Sequence, residues 1–283
     1  MSESAVRRPV VRWFGGKWKL APKIMAHFPA HRVYVEPFGG GGSILLRKPR
    51  SYAEVYNDLD GEIVNLFRVL RDPETGVRLA EMLRLTPFAR DEFLECREPG
   101  IGDAVERARR MVVYAFQGFG TNAHSRVPTG FRSNSNRSGT TPAQDWKNYP
   151  DSLHLTVSRL QGVVIENRDA KIIMAQHDSP ATLHYVDPPY VHATRGQGNP
   201  YDVKYRGYAH ELTDDDHREL LTFLRGLRGR VVLSGYAHPI YDDVLSDWRR
   251  VEIAAHADGA RPRTEVLWIN PGSGSPELDL VAA

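Results

Sequence analysis

The chain of 283 residues has one cysteine, Cys96, and lacks the signals of secreted, membrane and metal-binding proteins. A single cysteine excludes an internal disulfide framework and a zinc site built from cysteine thiolates. No apolar run reaches membrane-spanning length, and the amino-terminal segment has no apolar stretch typical of a signal peptide. The eleven histidines show no HExxH or other metal-ligand spacing. We therefore expect a cytoplasmic protein without a membrane or a metal partner.

The formal net charge of +2 conceals two basic stretches. Residues 1–50 contain ten Lys and Arg against two acids, and residues 107–147 contain seven against one. The rest of the chain is acidic overall. Two basic stretches on an acidic chain predict a polyanionic partner, and chance clustering of solvated arginines is the alternative.

Short apolar runs alternate with helical patterns along the chain, which predicts an α/β fold with a largely parallel sheet. Strands are predicted at Val33–Glu36, Ala53–Tyr56, Val163–Glu166, Leu183–Val186, Arg230–Ser234 and Val266–Ile269. Helices are predicted at Leu20–Phe28, Gly61–Arg71, Asp103–Gln117 and Asp214–Arg225. Thr213 and Asp216 form an acidic variant of the capping box at the start of the last helix.

The stretch 72–150 breaks this alternation. It begins with helical segments and continues as a long loop rich in Ser, Asn, Gly, Thr and Arg, which predicts a basic insertion; a linker without function is the alternative. A second loop, at 192–210, interleaves tyrosines with cations and can stack on bases and contact phosphates. The candidate nucleic-acid contacts in these loops are Arg126, Arg132, Arg137, Tyr201 and Lys204.

The most specific motif is Asp187-Pro-Pro-Tyr190, directly after a predicted strand, where open α/β sheets bind their ligands. The exocyclic amine of an aromatic base is a poor nucleophile, because its lone pair is delocalised into the ring. The Asp187 carboxylate and the Pro188 carbonyl can accept its two hydrogens and localise the lone pair. Pro188 and Pro189 stiffen the backbone, and Tyr190 can stack on the base. The alternative is a rigid turn with an aromatic plug.

A glycine-rich turn follows the first predicted strand and leads into a helix start. Glycines let a backbone approach a ligand closely, and a helix start offers free N–H groups. No Gly-Lys-Ser/Thr follows, so the turn is not a Walker A loop. A glycine turn without a ligand is the alternative. The candidate binding residues here are Glu36, Pro37, Phe38, Gly39 and Gly41.

An acid at the end of the second strand, Asp58, lies 19 residues after Gly39. At that spacing an acid can accept both hydroxyls of a ribose. Asp60 is the competing candidate, and either residue can instead cap the following helix.

Two further motifs complete the set. Near the amino terminus, Trp13, Gly15, Gly16 and Lys17 combine aromatic, glycine and cationic residues that can wrap a small ligand with a carboxylate. An ordinary turn is equally compatible with them. Asp169 follows another predicted strand and can bind a purine edge.

In type and order, these motifs resemble those of the Dam-type DNA adenine-N6 methyltransferases, especially the phage and prophage members. Trp13-Phe-Gly-Gly-Lys17 is similar to the family's amino-terminal cofactor motif, and Val35-Glu-Pro-Phe-Gly-Gly-Gly-Gly-Ser43 to its glycine-rich motif. Asp187-Pro-Pro-Tyr190 is similar to its catalytic motif. Ser234-Gly-Tyr236 and Thr264-Glu-Val-Leu-Trp268 resemble its carboxyl-terminal segments. The resemblance spans nearly the whole chain.

The resemblance implies a Rossmann-like methyltransferase domain with S-adenosylmethionine as the methyl donor. Residues 1–71 and 151–283 would form this domain, and residues 72–150 an inserted target-recognition domain that binds DNA. The enzyme would methylate N6 of adenine in double-stranded DNA by flipping the base and transferring the methyl group in line. We expect a monomer that requires no metal.

The same resemblance implies roles for the binding residues. Lys17 and its neighbours, with the segment from Glu36 to Gly41, would hold the methionine part of the donor. Asp58 would bind the ribose hydroxyls and Asp169 the adenine. Asp187 and Pro188 would hold the target amine, with Tyr190 stacked on the flipped base.

Several rival functions remain open at the level of sequence. An RNA adenine-N6 methyltransferase would use the same chemistry, and a protein glutamine-amide methylase would typically carry Asn in place of Asp187. A catalytically silent DNA-binding module on the same fold would not need the intact motifs. Attack by a thiolate on cytosine C5 is excluded, because no Pro-Cys pair occurs and Cys96 lies in a charged helical segment. A role in restriction–modification and a role in phage self-protection both stay open.

Overall fold

The strands of this computed structural model form one mixed sheet. Residues 6–120, 129–136, 139–194, 210–256 and 262–271 are described. They contain β1 (Val33–Glu36), β2 (Ala53–Asn57), β3 (Val163–Glu166), β4 (Thr182–Val186), β5 (Arg230–Gly235), β6 (Arg249–His256) and β7 (Pro262–Ile269). The strand order is β3-β2-β1-β4-β5-β7-β6. The strands β1 to β5 pair in parallel, whereas β7 is antiparallel to both β5 and β6.

The order of the sheet reverses beside β1, which pairs with β2 on one side and with β4 on the other. In an open α/β sheet such a reversal creates a crevice at the carboxyl ends of the strands, and ligands bind there. The predicted Rossmann-like α/β fold is confirmed.

The helices surround this sheet. They are α1 (Ala21–Met25), α2 (Ser43–Arg47), α3 (Gly61–Arg71), α4 (Pro73–Leu85), α5 (Arg90–Glu95), α6 (Ala104–Gln117), α7 (Pro142–Lys147), α8 (Leu153–Leu160), α9 (Ala170–Gln176), α10 (Asp214–Arg225) and α11 (Pro239–Val244). Short 3₁₀ turns lie at Pro150–Ser152 and His192–Thr194. No helix in the described ranges combines the length and the apolar character needed to cross a membrane.

Successive side chains of a strand point to opposite faces, and both faces of the central sheet are buried. Tyr34 of β1 packs in a cluster with α3, α6 and α8, whereas its neighbour Val35 packs against Ile173 of α9. In β7, Leu267 joins the first cluster and Trp268 packs with α10 and α11. Burial on both sides explains the continuous apolar runs of the inner strands.

Two helices begin and end as the sequence predicts, and each has a side-chain cap. The Asp60 carboxylate accepts the backbone N–H of Glu62 at the start of α3. At α10, Thr213 and Asp216 bond reciprocally, which confirms the predicted capping box. The first predicted helix is shorter than expected, because α1 spans only Ala21–Met25.

Residues 72–150 contain the helices α4 to α7, and an isolated antiparallel bridge joins Gly118 to Phe131. One cluster of buried side chains runs from Phe67 of α3 through Leu79 of α4 to Val112 of α6. The insertion thus shares a hydrophobic core with the sheet domain. Its separation as a target-recognition domain remains a prediction.

Candidate active site

A cavity of about 500 Å³ lies at the carboxyl ends of the strands, at the crevice beside β1. It gathers many predicted site residues, which are Trp13, Gly15, Gly16, Lys17, Glu36, Pro37, Phe38, Gly39, Gly41, Asp58, Asp187 and Pro189. Further wall residues include Gly40, Ser43, Asp60, Ala170, Tyr185, Leu212 and Asp216. Motifs far apart in sequence therefore share one wall.

The glycine-rich turn lies against two aromatic side chains. A Cβ atom on Gly39 would lie 2.2 Å from the ring of Tyr56, and one on Gly40 would lie 2.4 Å from the Trp13 indole nitrogen. Gly40 also has a positive φ of 47°, which side chains rarely adopt. The Tyr56 hydroxyl donates to the Gly40 carbonyl at 2.7 Å. Glycine is thus required at both positions for the turn to pack this closely against Tyr56 and Trp13.

Glu36, at the end of β1, is a buried carboxylate in the cavity wall. Its Oε2 atom accepts the Tyr34 hydroxyl at 2.7 Å and the backbone N–H of Leu45 at 3.0 Å. Burial raises the pKa of Glu36 to about 8, although these two hydrogen bonds oppose the shift. A bound cation would reverse the effect of burial by stabilising the ionised form.

The two candidate acids after β2 have different local roles. The Asp60 carboxylate caps α3, whereas the Asp58 carboxylate accepts the N–H of Gly40 and of Asp60, both at 2.8 Å. Burial raises the pKa of Asp58 to about 6, against these hydrogen bonds. Asp58 therefore joins the glycine turn to the end of β2, and both acids line the cavity.

Asn57 ties the ends of three adjacent strands together. Its Nδ2 atom donates to the carbonyls of Pro37 and Arg168, both at 2.9 Å, and its Oδ1 accepts the Arg168 N–H. Its carbonyl accepts the Gly39 N–H at 2.8 Å. These hydrogen bonds fix the segments that follow β1, β2 and β3 relative to one another at the edge of the sheet where the cavity lies.

Asp169 caps α9, because its carboxylate accepts the backbone N–H groups of Lys171 and Ile172. The following residue, Ala170, lies in the cavity wall, while Asp169 itself does not line it. Its predicted contact with a purine edge stays a prediction.

Lys17 joins the two halves of the site. Its buried Nζ atom donates to the Gly15 carbonyl at 2.9 Å and lies 3.0 Å from Asp187 Oδ2. The same ammonium group lies 4.7 Å from the centre of the Tyr190 ring. The amino-terminal motif and the motif after β4 are therefore in direct contact.

Asp187 is held at both carboxylate oxygens. While Oδ2 faces Lys17, Oδ1 accepts the Ser234 hydroxyl at 2.8 Å and the Tyr190 hydroxyl at 3.1 Å. Pro188 is buried and Pro189 lines the cavity. The backbone after β4 is thus fixed with its acid at the cavity.

Tyr190 is buried, and its single hydroxyl hydrogen is shared between Glu265 of β7, the nearer acceptor, and Asp187. Glu265 is itself buried, with Oε1 3.7 Å from Lys17 Nζ. Burial raises the pKa of Glu265 to about 7; the Lys17 charge opposes the shift and the Asp187 charge adds to it. Asp187, Tyr190, Glu265 and Lys17 form one closed network.

Among the predicted DNA contacts, Arg132 is described, and Arg126, Arg137, Tyr201 and Lys204 lie outside the described residues. The Arg132 guanidinium donates to the Phe116 carbonyl at 3.3 Å.

Three arginines of the basic stretch 107–147 are engaged within the protein. Arg107 pairs with Glu62 at 2.6 Å, and Arg109 pairs with Glu92 at 2.6 Å and with Glu106 at 2.7 Å. Arg110 donates to the carbonyls of Glu95 and Glu98. These three arginines are occupied by contacts within the protein. The net charge of residues 107–147 therefore overstates the positive charge available to bind DNA.

A family model described as D12 class N6 adenine-specific DNA methyltransferase matches residues 13–255. The chain belongs to this family. It is 25% identical to the Type II methyltransferase M1.LlaDCHI of Lactococcus lactis subsp. cremoris, over 94% of this chain and 96% of that protein. It is 23% identical to the DNA adenine methylase of Haemophilus influenzae, over 71% of this chain and 68% of that protein. A DNA adenine methylase of Serratia marcescens is 30% identical, over 38% of this chain and 40% of that protein.

The predicted family and enzyme class are thereby confirmed, and the protein is an adenine-specific DNA methyltransferase. Within the described part of the chain, no group of three or more His, Cys, Asp or Glu residues is placed to hold a metal ion.

Sequence reasoning did not assign roles to Ser234 and Glu265 in this D12-class site. Both lie in segments identified through the family resemblance, and both contact the network around Asp187. For Glu265 a signal was present, because an acid stands directly before the apolar run at Val266–Ile269. A buried charged residue at a strand needs a partner, and here that partner is the active site.

Proposed function

We propose that this D12-class enzyme binds S-adenosylmethionine in the cavity beside β1 and methylates N6 of an adenine flipped out of double-stranded DNA. One observation carries the proposal. Lys17 Nζ, in the part of the wall assigned to the donor, lies 3.0 Å from Asp187 Oδ2, in the part assigned to the target amine. Donor and acceptor pockets that meet at one contact suit a direct transfer between two bound groups.

The chemistry of the cavity wall fits the donor. Glu36 offers a buried carboxylate for the ammonium group of the methionine part, and Lys17 offers a cation for its carboxylate. Asp58 offers its two carboxylate oxygens to the ribose hydroxyls. Each of these carboxylate oxygens also accepts one backbone N–H. Phe38 and Leu212 supply apolar wall near Ala170 for the adenine ring.

In the proposed reaction the bound donor supplies an electrophilic methyl group on a sulfonium. The protein prepares the nucleophile. Asp187 and the Pro188 carbonyl accept the two hydrogens of the target amine, so its lone pair becomes available to the methyl carbon. Ser234 and Tyr190 hold the Asp187 carboxylate in place for this task. Positioning of this kind accounts for a large part of catalysis when two groups must meet in line.

The target base must leave the double helix to reach this pocket. Unstacking a base in this way costs about a few kcal/mol of free energy. We assign recognition of the DNA around the base to the insertion at residues 72–150. Arg126, Arg132 and Arg137 are its proposed backbone contacts, with Tyr201 and Lys204 from the second loop. The enzyme would act as a monomer.

The experiment incubates the protein with tritiated S-adenosylmethionine and unmethylated duplex DNA of mixed sequence. The DNA is digested to nucleosides, and the labelled nucleoside is identified. We expect N6-methyladenine, and an Asp187→Ala variant that still binds the donor but labels DNA far more slowly. If the label appears in RNA or in protein instead, the proposal that DNA is the substrate is refuted. Donor binding without label in any acceptor would favour a silent DNA-binding module.

A further inference from the structure

The carboxylates of Asp187 and the buried Glu265 share two partners in the active site. The Tyr190 hydroxyl lies between Asp187 Oδ1, at 3.1 Å, and Glu265 Oε1. Lys17 Nζ lies between Asp187 Oδ2, at 3.0 Å, and Glu265 Oε1, at 3.7 Å. Neither Tyr190 nor Lys17 is needed to anchor Glu265 in its strand, because the β7 backbone pairs with both β5 and β6.

Methylation of N6 creates a proton that must leave the active site. A nitrogen–carbon bond forms, a sulfur–carbon bond breaks, and the sulfonium becomes a neutral thioether. The amine nitrogen, left positively charged by the new bond, must lose one hydrogen as a proton to give neutral N6-methyladenine. The Asp187 carboxylate is the proposed first acceptor, but a protonated Asp187 is neutral and accepts a hydrogen of the next substrate amine less strongly.

We propose that Glu265 is a positioning residue that takes up this proton from Asp187 through the Tyr190 hydroxyl. The inference rests on the proposed function, because it requires methyl transfer at Asp187. In this relay, Tyr190 accepts the proton of Asp187 as its own proton passes to Glu265 Oε1. Asp187 is ionised again at the end, Tyr190 is unchanged, and Glu265 is a neutral acid.

The electrostatics of the cluster fit this role. Burial raises the pKa of Tyr190 well above its ordinary value, so its hydroxyl stays protonated and can pass a proton only as it receives one. Burial also raises the pKa of Glu265 to about 7, so near neutral pH this carboxyl both accepts and releases a proton easily. The titratable groups that face it are Lys17 from the amino-terminal segment, Asp187 and Tyr190 after β4, and Tyr185 within β4.

A merely structural role for Glu265 makes different predictions. A residue that only packed β7 against the loop after β4 would affect stability and donor binding, and its loss would leave the pH dependence of methyl transfer unchanged. A relay instead makes the steady-state rate of methylation depend on the ionised fraction of Glu265.

The test compares wild type with Glu265→Gln, which keeps the size and an oxygen that accepts the Tyr190 hydroxyl, and with Tyr190→Phe, which removes the bridge. Glu252→Gln is the matched control, because Glu252 lies on the neighbouring strand β6, is exposed and bonds only Arg250 among the contacts described. Steady-state rates over several turnovers, which include the return of Asp187 to its ionised form, are measured between pH 6 and pH 9 with saturating S-adenosylmethionine and duplex DNA. Donor affinity is measured separately by calorimetry.

For wild type and the control we expect a rate that rises with pH through about 7 and then levels. Glu265→Gln and Tyr190→Phe should each lose this inflection and fall by about 10²-fold at pH 8, the lower range for a positioned acid–base group. The double variant should be no slower than either single variant. Donor affinity of Glu265→Gln should stay within about twofold of wild type.

A second readout needs no turnover. Infrared difference spectra of the unloaded protein should show a protonated carboxyl that titrates near pH 7 in wild type and is missing in Glu265→Gln. The relay would be overturned if Glu265→Gln kept both the wild-type rate and the inflection in its pH profile. It would also be overturned if the rate losses of Glu265→Gln and Tyr190→Phe added up in the double variant. A wild-type protein that labels no DNA would instead refute the proposed function itself.

Discussion

Binding of S-adenosylmethionine should release close to one proton from Glu36 near neutral pH. Glu36 is only 2% exposed, and its two hydrogen bonds both end on Oε2. Burial raises its pKa to about 8 in the unliganded protein. An ammonium group beside it favours the ionised carboxylate, so the donor must displace the proton that Glu36 carries at pH 7.

The size of the effect follows from this pKa. At pH 7, about 0.9 of Glu36 is protonated, and ionising it costs about 1.4 kcal/mol of binding free energy, a tenfold loss of affinity. Between pH 6 and pH 7 the donor keeps its ammonium charge while the ionised fraction of Glu36 rises about tenfold, so the dissociation constant should fall by about the same factor. Asp58, with a pKa of about 6, adds about 0.1 proton at pH 7 if its ionised form binds the ribose.

Calorimetry at pH 7 in buffers of different ionisation enthalpy measures the protons released per donor bound. Wild type should release about 0.9 to 1.0 proton, and Glu36→Gln, which can still accept from Tyr34 and Leu45, should release about 0.1. A wild type that binds the donor without releasing a proton would refute the reasoning. Equal release from Glu36→Gln would assign the proton to another group.

Three further outcomes are expected. Asp187→Ala should lower single-turnover methylation by about 10²-fold or more while donor affinity, measured by calorimetry, stays near wild type; unchanged turnover would exclude the mechanism. Asp58→Ala should raise the donor dissociation constant about tenfold, and an unchanged constant would move the ribose contact to Asp60. Glu54→Gln leaves the buried cations of Arg159 and Lys48 without their carboxylate. It should therefore lower the free energy of unfolding in urea by about 3–5 kcal/mol, and a loss below about 1 kcal/mol would contradict this role.

The pH dependence of that buried cluster has a definite sign. Burial raises the pKa of Glu54, but its bonds with Arg159 and Lys48 outweigh burial and hold the pKa below its ordinary value. The stability it contributes is fully present above the ordinary glutamate pKa and is lost as pH falls through the lowered one. Wild type should therefore lose stability in mild acid more steeply than Glu54→Gln does.

The parallel strands of the sheet were predictable from sequence, and the antiparallel edge strand was not. The central strand β1 matches its predicted bounds, because a strand buried on both faces is an apolar run with a polar residue at its end. The edge strand β3 also matches its predicted bounds, although its Val164 is exposed. The edge strand β6 was missed. It begins with Arg249 and Arg250 and carries Glu252, which suits a strand with one free edge but gives no apolar run.

At the active site, the sequence was enough to predict the motifs but not the contacts between their side chains. The sequence places Asp187 after a strand and Lys17 after two glycines, but their contact at 3.0 Å depends on how distant segments pack. Counting charges in the sequence has the same limitation, because it does not show which cations are paired. Counting arginines in residues 107–147 treats Arg107 and Arg109 as free cations, whereas the structure pairs them with Glu62, Glu92 and Glu106.

Glu36 and Asp58, two acids of the cavity wall, suit a cationic ligand. Glu36, Asp58 and Glu265 all have pKa values raised by burial, and Lys17 is the cation that the structure places between Asp187 and Glu265. Burying carboxylates without matching cations costs stability, so a fold retains them where they serve binding or catalysis. The proposed donor carries two positive charges, on its ammonium and its sulfonium, and the product left after transfer has lost the sulfonium charge. The same acidic wall would therefore hold the donor more tightly than the spent product, which favours product release after each methyl transfer.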